Sequence, residues 1–484
     1  MGKINSSKPF IILRLFAALL IFFPVIMIPP LLLAIISGEL HMIKCFLWPI
    51  CTTAVLALAG LRTLRKKKLN LNIKDGFLLV FVTWILASLI GSIPFYAAGL
   101  NFIDSLFEST CTFATTGATV IGNIEALPRS LLLWRSIAHW FGGIGIVLIS
   151  VALMPLLGMG GFQLIKAEAP GPEKEKITPK VTDTAKLLFL AYATLTVVLF
   201  GLYMLGGMNW FDGLCHALTT MASGGTSTKN SGIAAFNSPF IEWVTTFFML
   251  LAGLNFSIYY RLLRGKISDI LINSEARAYV LIFVITAAII TLTLIPVYGP
   301  AAALRYAAYQ SSSILSTTGT AIANYENWPG LARMILFGLM FIGGCSGSTA
   351  GGIKVVRHVV LWKQMNNELR RAVYPGGVFS VQLNKRVGRK DVIYSVAAFV
   401  FVYMVIIAIT TLVTAASGVD VFSSFAAALS VTGNVGVGFG AIGPSRNYGG
   451  FANHIKLLYS LVMIAGRLEL WTVILLFRPS FWRR

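Results

Sequence analysis

The sequence is poor in charged residues, and acidic residues are especially few. Only 12% of the 484 residues are charged and 56% are hydrophobic, with 18 acidic residues against 39 basic ones. The mean hydropathy is +0.79. A soluble globular domain carries about 25% charged residues, so this composition excludes an ordinary soluble domain. The chain is expected to fold in a lipid bilayer, where the structural unit is an apolar span of about 20 residues.

Cysteine and histidine are also few, and neither type clusters. No two of the five cysteines have CxxC spacing: Cys45, Cys51, Cys111, Cys215 and Cys345. This scatter argues against a metal or redox centre and predicts that the cysteines are small core residues. His139 and His216 are likewise interpreted as packing residues. A cleavable signal peptide is not expected, because the first apolar run, 9–36, is too long for one.

The net charge of +21 is unevenly distributed between the loops. Four loops hold most of the basic residues: Arg62, Arg65, Lys66, Lys67, Lys68 and Lys74; Lys166, Lys174, Lys176 and Lys180; Arg261, Arg264 and Lys266; and Lys354, Arg357, Lys363, Arg370, Arg371, Lys385, Arg386, Arg389 and Lys390. The positive-inside rule then predicts that these loops and both termini face the cytoplasm, with an even number of spans between them. This distribution also argues against nucleic acid as a partner.

About ten membrane spans are predicted from the lengths of the apolar runs. Two spans lead the chain, and eight follow as four pairs: 9–36 and 43–61; then 76–99 with 131–157, 186–207 with 241–262, 278–298 with 331–361, and 392–416 with 455–477. The predicted fold is an all-α membrane protein, with four repeats of span, re-entrant helix, loop and span around one pseudo-fourfold pore. The predicted units are a leading hairpin, 1–70, and four pore repeats, 71–165, 166–265, 266–372 and 373–484.

One short segment rich in Gly, Thr and Ser lies inside each pair of spans. The four are Ala114–Thr119, Ser223–Ser227, Ser316–Thr320 and Asn434–Gly438. Their central glycines, Gly117, Gly225, Gly319 and Gly436, follow one another at intervals of 108, 94 and 117 residues. Irregular backbone survives at membrane depth only where protein buries it or water bathes it. Four such segments around one axis would form a ring of carbonyl oxygens, which is how a cation filter is built.

Sixteen residues are predicted to form this filter and to bind potassium. They are Thr115, Thr116, Gly117 and Ala118; Ser223, Gly224, Gly225 and Thr226; Thr317, Thr318, Gly319 and Thr320; and Asn434, Val435, Gly436 and Val437. Carbonyls can point inward in succession only if some residues take a positive φ, which costs glycine nothing. The alternative is that these glycines simply allow helices to pack closely.

Each repeat is also predicted to contain a re-entrant helix that ends at its filter segment. Asp104, Asp212 and Ser423 each precede the central glycine by 13 residues and are predicted N-caps of helices of about three turns. The third repeat departs from this pattern, with Tyr306 at that position. The negative ends of the four helix dipoles would favour a cation at the centre.

A glycine-rich run interrupts the predicted span 331–361 and is interpreted as a gate below the filter. The predicted gate residues are Gly343, Gly344, Gly347, Ser348, Thr349, Gly351 and Gly352, together with Arg467. A passive helix kink is one alternative. A phosphate-binding loop is another, since Gly347 and Gly352 have its spacing, but Ile353 stands where a lysine is required and no strand precedes the run.

Arg467 lies almost at the centre of the last predicted span. A charge there costs at least about 2.5 kcal/mol to bury. Arg467 is therefore predicted to face a water-filled pore and to act as a barrier to cations. The alternative is a salt bridge, for which Glu469 is a poor partner because it lies on another helix face.

Several motifs together suggest a family. They are Trp134-Arg135-Ser136, Trp140 with Gly142–Gly145, Ala167–Pro172, the run from Gly343 to Lys354, and Gly466–Glu469. The chain resembles the TrkH-type subunits of the Trk/Ktr/HKT potassium transporter superfamily over nearly its whole length. This resemblance implies potassium uptake across the bacterial inner membrane by a homodimer with one pore per protomer, surrounded by membrane lipid. It also implies a cytoplasmic ring of nucleotide-binding TrkA subunits that controls the gate, with no organic cofactor in this chain.

The resemblance also assigns roles to particular residues. Glycine at position 117 goes with potassium preference, whereas serine there goes with sodium permeability. Thr226 and Tyr374 depart from the family, since relatives often have an aromatic residue and a histidine at these positions. The predicted function is passive, channel-like flux of potassium driven by the membrane potential, worth about 2.3 kcal/mol per charge per 100 mV.

Two other functions stay open at this point. A proton- or sodium-coupled potassium symporter needs a titratable carboxylate along the pathway, and apart from Glu469 the sequence offers none at mid-membrane. A membrane enzyme or an assembly scaffold is the other alternative. No Ser/His, metal or paired-carboxylate constellation supports an enzyme, and a scaffold would leave the four filter-like segments unexplained.

Overall fold

The computed structural model describes residues 8–63, 73–156, 181–263, 273–384, 386–387 and 390–482, and the regular secondary structure of these residues is almost entirely helical. The basic residues 65–68, 166–180, 264–266, Lys385 and Arg389 lie outside the described residues, as does the motif Ala167–Pro172. The repeat boundaries near 70, 165 and 265 stay predictions, because they fall on the same gaps.

Three helices lead the chain and pack against the first repeat. They are α1 (Lys8–Leu20), α2 (Phe22–Ile36) and α3 (Leu40–Thr63). Phe23 and Met27 of α2 share an apolar cluster with Phe113 and Trp134 of the first repeat. The leading helices therefore cover one outer side of the first repeat.

Each repeat consists of an outer helix, a short re-entrant helix and an inner helix. The outer helices are α4 (Ile73–Ala97), α7 (Val181–Leu205), α11 (Ser274–Tyr298) and α15 (Lys390–Ala416). The re-entrant helices are α5 (Phe102–Phe113), α8 (Trp210–Met221), α12 (Pro300–Leu315) and α16 (Val421–Gly433). The inner helices are α6 (Arg129–Leu156), α9 with α10 (Pro239–Ala252, Phe256–Leu263), α13 with α14 (Gly330–Leu339, Val355–Val373) and α17 with α18 (Asn453–Arg467, Trp471–Leu476).

The remaining described elements are short. They are the single-turn helix α19 (Pro479–Trp482), four 3₁₀ turns (Gly232–Phe236, Tyr325–Asn327, Gly440–Ile442, Tyr448–Gly450) and the strands β1 (Gln382–Leu383) and β2 (Arg386–Val387). The two strands form an antiparallel hairpin in which Gln382 pairs with Val387 and Leu383 with Arg386. We call the described residues 382–384 and 386–387 the hairpin.

Six helical segments of the described residues are long and apolar enough to cross a membrane. They are Leu13–Ile36, Leu40–Arg62, Lys74–Ala97, Ala185–Leu205, Ser274–Tyr298 and Val392–Ala416. Only 17% to 39% of an 18-residue window of each span is buried inside the protein, so most residues of the window are at least partly exposed. An outward apolar surface of this length suits lipid contact. The prediction of an all-α, multi-pass membrane protein is confirmed.

Three of the predicted inner spans are not continuous helices. The spans 241–262, 331–361 and 455–477 break at 253–255, 340–354 and 468–470, and only the first inner helix, Arg129–Leu156, runs unbroken. The prediction of a break in the third repeat alone was too narrow. Apolar length cannot reveal such breaks, because they depend on tertiary partners for the freed backbone groups.

The predicted N-caps of the re-entrant helices were wrong by three residues. The observed N-caps are Asn101, Asn209 and Asp420, whose side chains accept hydrogen bonds from the N–H groups of Asp104, Asp212 and Ser423. The predicted residues therefore occupy the third helical position, as in a capping box. Hydrogen bonds from the Ser423 hydroxyl and N–H also hold the pKa of the exposed Asp420 carboxyl below its usual value.

The third re-entrant helix begins differently from the others. Gly299 takes φ +75° and Pro300 follows at the first helical position, so this helix has 16 residues where the first has 12. Proline suits this position because its fixed φ is helical and its missing N–H is not needed there. This earlier start explains why Tyr306 does not fit the spacing of the other repeats.

Candidate ion filter and gate

The four central glycines meet in one ring. Each lies against the carbonyl oxygen of the residue before the central glycine of the next repeat. These contacts run from Gly117 to Gly224, from Gly225 to Thr318, from Gly319 to Val435, and from Gly436 back to Thr116. A Cβ added at Gly117 would lie 2.5 Å from its neighbour's oxygen, and at the other three glycines the approach is closer still. The order returns to its starting point, so the segments close around a single axis.

The backbone of each segment repeats the same unusual conformation. Thr115, Ser223, Thr317 and Asn434 take φ of 53° or 54°, and the central glycine two residues later takes φ between 66° and 88°. Such left-handed conformations cost a non-glycine residue about 1–3 kcal/mol and persist only where the surroundings impose them. Four copies of the same strained turn indicate a geometry that the fold enforces to direct its carbonyls.

One residue of each re-entrant helix holds both sides of its segment. Its carbonyl accepts the N–H of the residue before the central glycine, and its side chain donates to the carbonyl of the residue after it. These residues are Cys111, Thr219, Ser313 and Ser430, each six positions before its glycine. The side-chain bonds measure 2.7, 2.9, 2.6 and 3.1 Å in that order.

This arrangement separates the four predicted filter residues of each segment into two groups. The carbonyls of Ala118, Thr226, Thr320 and Val437 accept bonds from their own re-entrant helix. They therefore turn toward the helix and away from the other segments. The carbonyls of the three preceding filter residues in each segment are not the acceptors of these side-chain bonds.

Glu108 of the first re-entrant helix braces the chain beyond Gly117. One carboxylate oxygen accepts hydrogen bonds from the Thr119 hydroxyl at 2.5 Å and the Val120 N–H at 2.7 Å. The other oxygen lies 3.3 Å from Nε of Arg135, and both side chains are at most 2% exposed. A buried carboxylate with these partners fixes the exit of the first segment rigidly.

Two other repeats use the same helix position, nine residues before the glycine, in a similar way. His216 Nε2 lies 2.9 Å from the Ser227 hydroxyl, and Gln310 Nε2 donates to the Thr320 carbonyl at 3.5 Å. His216 is therefore more than the packing residue predicted from the sequence. His139, in contrast, is fully buried against Gly224.

The fourth repeat has Ala427 at this position and is braced by its neighbour. The Tyr325 hydroxyl donates to the Gly438 carbonyl at 2.6 Å. Glu326 accepts the Gly440 N–H at 2.7 Å. The third repeat thus supplies the polar side chains that the fourth re-entrant helix lacks.

The predicted gate, which we call the intramembrane loop (340–354), lies directly against three filter segments. The Gly351 N–H donates to the Thr317 hydroxyl at 2.6 Å, and the hydroxyls of Thr349 and Ser223 are 2.9 Å apart. A Cβ on Gly351 would lie 2.9 Å from Cβ of Asn434. Since Ser223, Thr317 and Asn434 are the first predicted filter residues of their segments, the loop covers the end of the ring that the re-entrant helices approach.

The intramembrane loop fills the break in the second inner helix. The Cys345 N–H donates to the Gly253 carbonyl at 2.8 Å, and the Phe256 N–H donates to the Gly347 carbonyl at 3.1 Å. The two ends of the loop also bind each other, with the Gly343 N–H donating to the Ile353 carbonyl at 2.9 Å. The breaks in the second and third inner helices therefore satisfy each other's backbone groups.

Arg467 is placed differently from its prediction. Its guanidinium is 3% exposed and donates to the carbonyls of Thr349, Gly142 and Gly143 at 2.7, 2.9 and 3.2 Å. The prediction that it faces water is wrong, because buried carbonyls of two other repeats take its donors. Glu469, the poor candidate for a salt bridge with Arg467, pairs with Arg357 at 2.5 Å instead.

The cysteines behave largely as expected. All five are free, and four of them are buried. Cys51 is the exception, since it is exposed.

Comparison with known proteins identifies the family to which this arrangement belongs. Residues 46–484 match the TrkH family model, described as a cation transport protein. The chain belongs to the TrkH family. As a member of a family of cation transport proteins, it is a transporter and not an enzyme. The resemblance drawn from its motifs is confirmed.

Named relatives match this TrkH-family protein over nearly its whole length. The Trk system potassium uptake protein TrkH of Halomonas elongata is 36% identical over 486 residues, covering 98% of this chain and 99% of the relative. TrkG of Escherichia coli is 34% identical, with coverage of 99% and 100%. The crystal structure of the potassium transporter TrkH from Vibrio parahaemolyticus matches with a TM-score of 0.90 and 30% identity, covering 98% of this chain and 100% of that one.

Two sets of residues in this TrkH-family protein were not predicted from the sequence. They are the side chains six residues before each glycine and those nine residues before three of them. A signal was present for the first set, because Cys111, Thr219, Ser313 and Ser430 each offer a hydroxyl or thiol at one fixed offset. The second set differs in type from repeat to repeat, so only contacts reveal its shared role.

Proposed function

We propose that this chain takes up potassium through a pore along the axis of the four filter segments. The cyclic contact between central glycines and neighbouring carbonyls carries the proposal. Carbonyl oxygens arranged around an axis can replace the hydration shell of a potassium ion. The named relatives support this choice of ion, since they are potassium uptake proteins.

The first three of the four predicted filter residues in each segment supply the oxygens in this proposal. They are Thr115–Gly117, Ser223–Gly225, Thr317–Gly319 and Asn434–Gly436. The four re-entrant helices end at these residues, so their negative dipole ends add to the attraction for a cation. The fourth carbonyl of each segment stiffens the ring through its bond to the helix.

The intramembrane loop and Arg467 form the gate. The loop covers one end of the ring, and Arg467 ties the Thr349 carbonyl to the first inner helix. Conduction then requires the loop to leave this position. The mobile elements of the gate are the predicted residues Gly343, Gly344, Gly347, Ser348, Thr349, Gly351 and Gly352.

The cellular setting completes the proposal. The chain lies in the bacterial inner membrane with both termini in the cytoplasm, in keeping with the distribution of its basic residues. It acts as a homodimer, and a TrkA-type nucleotide-binding ring contacts its basic cytoplasmic face. Flux is passive and follows the membrane potential, with potassium as the only cofactor or cargo of this chain.

Purified protein in liposomes tests this function. A potassium gradient should drive potassium flux that reverses at the potassium equilibrium potential and is insensitive to an imposed pH or sodium gradient. Flux that follows the proton or sodium gradient would indicate a coupled symporter instead. No potassium flux, with or without the regulatory ring, would contradict the proposal.

A further inference from the structure

A buried carboxylate that the proposed mechanism does not use lies beside the intramembrane loop. Glu275 is in the first turn of the third outer helix, Ser274–Tyr298, and is 5% exposed. Its Oε1 accepts the N–H of Ser346 at 2.7 Å and the N–H of Val356 at 3.3 Å. One oxygen therefore binds two main-chain donors.

These two donors belong to different parts of the gate. Ser346 lies within the intramembrane loop, next to Cys345, whose own N–H binds the Gly253 carbonyl. Val356 lies in the first turn of α14, the helix that follows the loop. Glu275 thus ties the loop to the helix behind it. Moving the loop away from the filter would leave at least one buried N–H without its acceptor, which is unfavourable.

The helix end that carries Glu275 is in turn attached to the hairpin. Asn384 accepts hydrogen bonds from both the N–H and the hydroxyl of Ser274, each at 2.8 Å. Lys363 of α14 donates to the Gln382 carbonyl at 2.6 Å, so the hairpin also contacts the helix behind the loop. Hydrogen bonds therefore connect the hairpin to Ser274, and Glu275 to the loop, and Ser274 and Glu275 are adjacent in the chain.

We propose that Glu275 is a positioning residue that clamps the intramembrane loop against the filter, and that the hairpin sets the clamp through Asn384. The inference rests on the proposed function of the loop as a gate. Displacement of the hairpin, for example by a protein that docks on this face, would move the first turn of α11 and withdraw the carboxylate from both donors. The loop would then be released as a unit.

The experiment reads the loop position through Cys345, which is 1% exposed. Labelling by a membrane-permeant maleimide is measured in the full chain carrying Cys51→Ser, because Cys51 is the exposed cysteine. Glu275→Ala should accelerate labelling of Cys345 by about tenfold, since a lost buried hydrogen bond raises the population of the open loop. Glu275→Gln should stay within about threefold of the parent, because its amide oxygen still accepts.

Two further variants complete the design. Asn384→Ala should accelerate labelling by a smaller factor, about threefold, because it loosens the helix end without removing the clamp. Glu368→Ala is the control, since it removes an exposed carboxylate that pairs with Arg371 on α14. It should leave the labelling rate unchanged. Labelling of Cys345 that stays at the parent rate in Glu275→Ala would overturn the inference, and if that variant fails to fold, an unchanged rate in Asn384→Ala would do so.

Potassium flux in liposomes separates this inference from the proposed function. Faster labelling together with increased flux in Glu275→Ala supports both. Faster labelling without potassium flux in any variant supports the clamp but contradicts the gate. Normal potassium flux with an unchanged labelling rate contradicts the clamp and leaves the proposed function standing.

Discussion

The inner spans of the first and third repeats have a similar glycine pattern in the sequence but differ in structure. Each predicted inner span contains a pair of glycines, Gly142-Gly143 in the first and Gly343-Gly344 in the third. The first helix nevertheless runs unbroken over 28 residues, whereas the third is divided by the intramembrane loop. A glycine pair alone therefore does not break a membrane helix.

The surroundings decide between these outcomes. In the first repeat, a Cβ at Gly142 would collide with the Phe113 carbonyl, so glycine there permits close packing on the first re-entrant helix. In the third repeat, positive φ at Gly347 and Gly352 turns the chain back, and the broken second inner helix accepts its donors. In the proposed function, the first repeat is therefore a fixed wall and the third repeat supplies the part that moves.

The largest expected effect concerns the brace of the first repeat. Glu108→Gln should lower the free energy of unfolding by about 3–5 kcal/mol, because it leaves Arg135 as an uncompensated buried charge. Thermal unfolding in detergent measures the change. Gln310→Glu is the comparison, because it replaces an amide by a carboxylate at the equivalent helix position of the third repeat. Adding Arg135→Met to Glu108→Gln should recover most of the loss, and a double variant no more stable than the single one would contradict the role of the pair.

The central glycines of the two repeats should respond unequally to serine. Gly319→Ser should reduce potassium flux at least about tenfold, since the new Cβ falls on the Val435 carbonyl and overpacking costs about 1–3 kcal/mol. Gly117→Ser should conserve more flux and raise sodium permeation, because its Cβ would lie 2.5 Å from the Gly224 oxygen, the widest of the four gaps. Potassium and sodium fluxes in liposomes test both. Equal losses in the two variants would contradict this ranking.

Removing Arg467, which connects the first inner helix to the intramembrane loop, should have a moderate effect. Arg467→Ala eliminates the hydrogen bonds to Gly142, Gly143 and Thr349, and a charged hydrogen bond is worth about 1.5–3 kcal/mol. Potassium flux without the regulatory ring should rise severalfold. Arg467→Lys, which keeps the charge but not the fork of donors, should lie between Ala and the parent. An unchanged flux in Arg467→Ala would mean that this contact does not restrain the gate.

The smallest effect is expected at the side chain six residues before the central glycine of each filter segment. Cys111→Ser should keep flux within about twofold, because serine already fills the equivalent positions 313 and 430 and one neutral hydrogen bond is worth about 0.5–1.5 kcal/mol. Cys111→Ala removes the donor to the Ala118 carbonyl and should reduce the preference for potassium over sodium. The ratio of the two fluxes measures this. Identical ratios in the Ser and Ala variants would show that this hydrogen bond does not contribute to selectivity.

Much of the architecture could be predicted from residue patterns. One glycine-centred segment recurs in each of the four repeats, and the structure brings these segments together. The recurrence was informative because few residue types other than glycine adopt a positive φ readily. The caps of the re-entrant helices were misplaced, since Asn101 and Asp104 are both good capping residues and only the hydrogen bond between them distinguishes their positions. The hydrogen bonds of Glu108 and Tyr325 could not be predicted from the sequence, because the repeat pattern does not mark the residues that they contact in space.

The sequence by itself determined that this chain lives in a membrane, that it is built from four related units, and that each unit carries one strained glycine turn. Those properties depend on composition and local backbone preference, which neighbouring residues decide. Only the tertiary structure decided which inner helices break, where the Arg467 donors go and which carboxylate holds the intramembrane loop. At membrane depth a freed backbone group must find its partner in another part of the protein, and that partner is known only once the repeats are packed together.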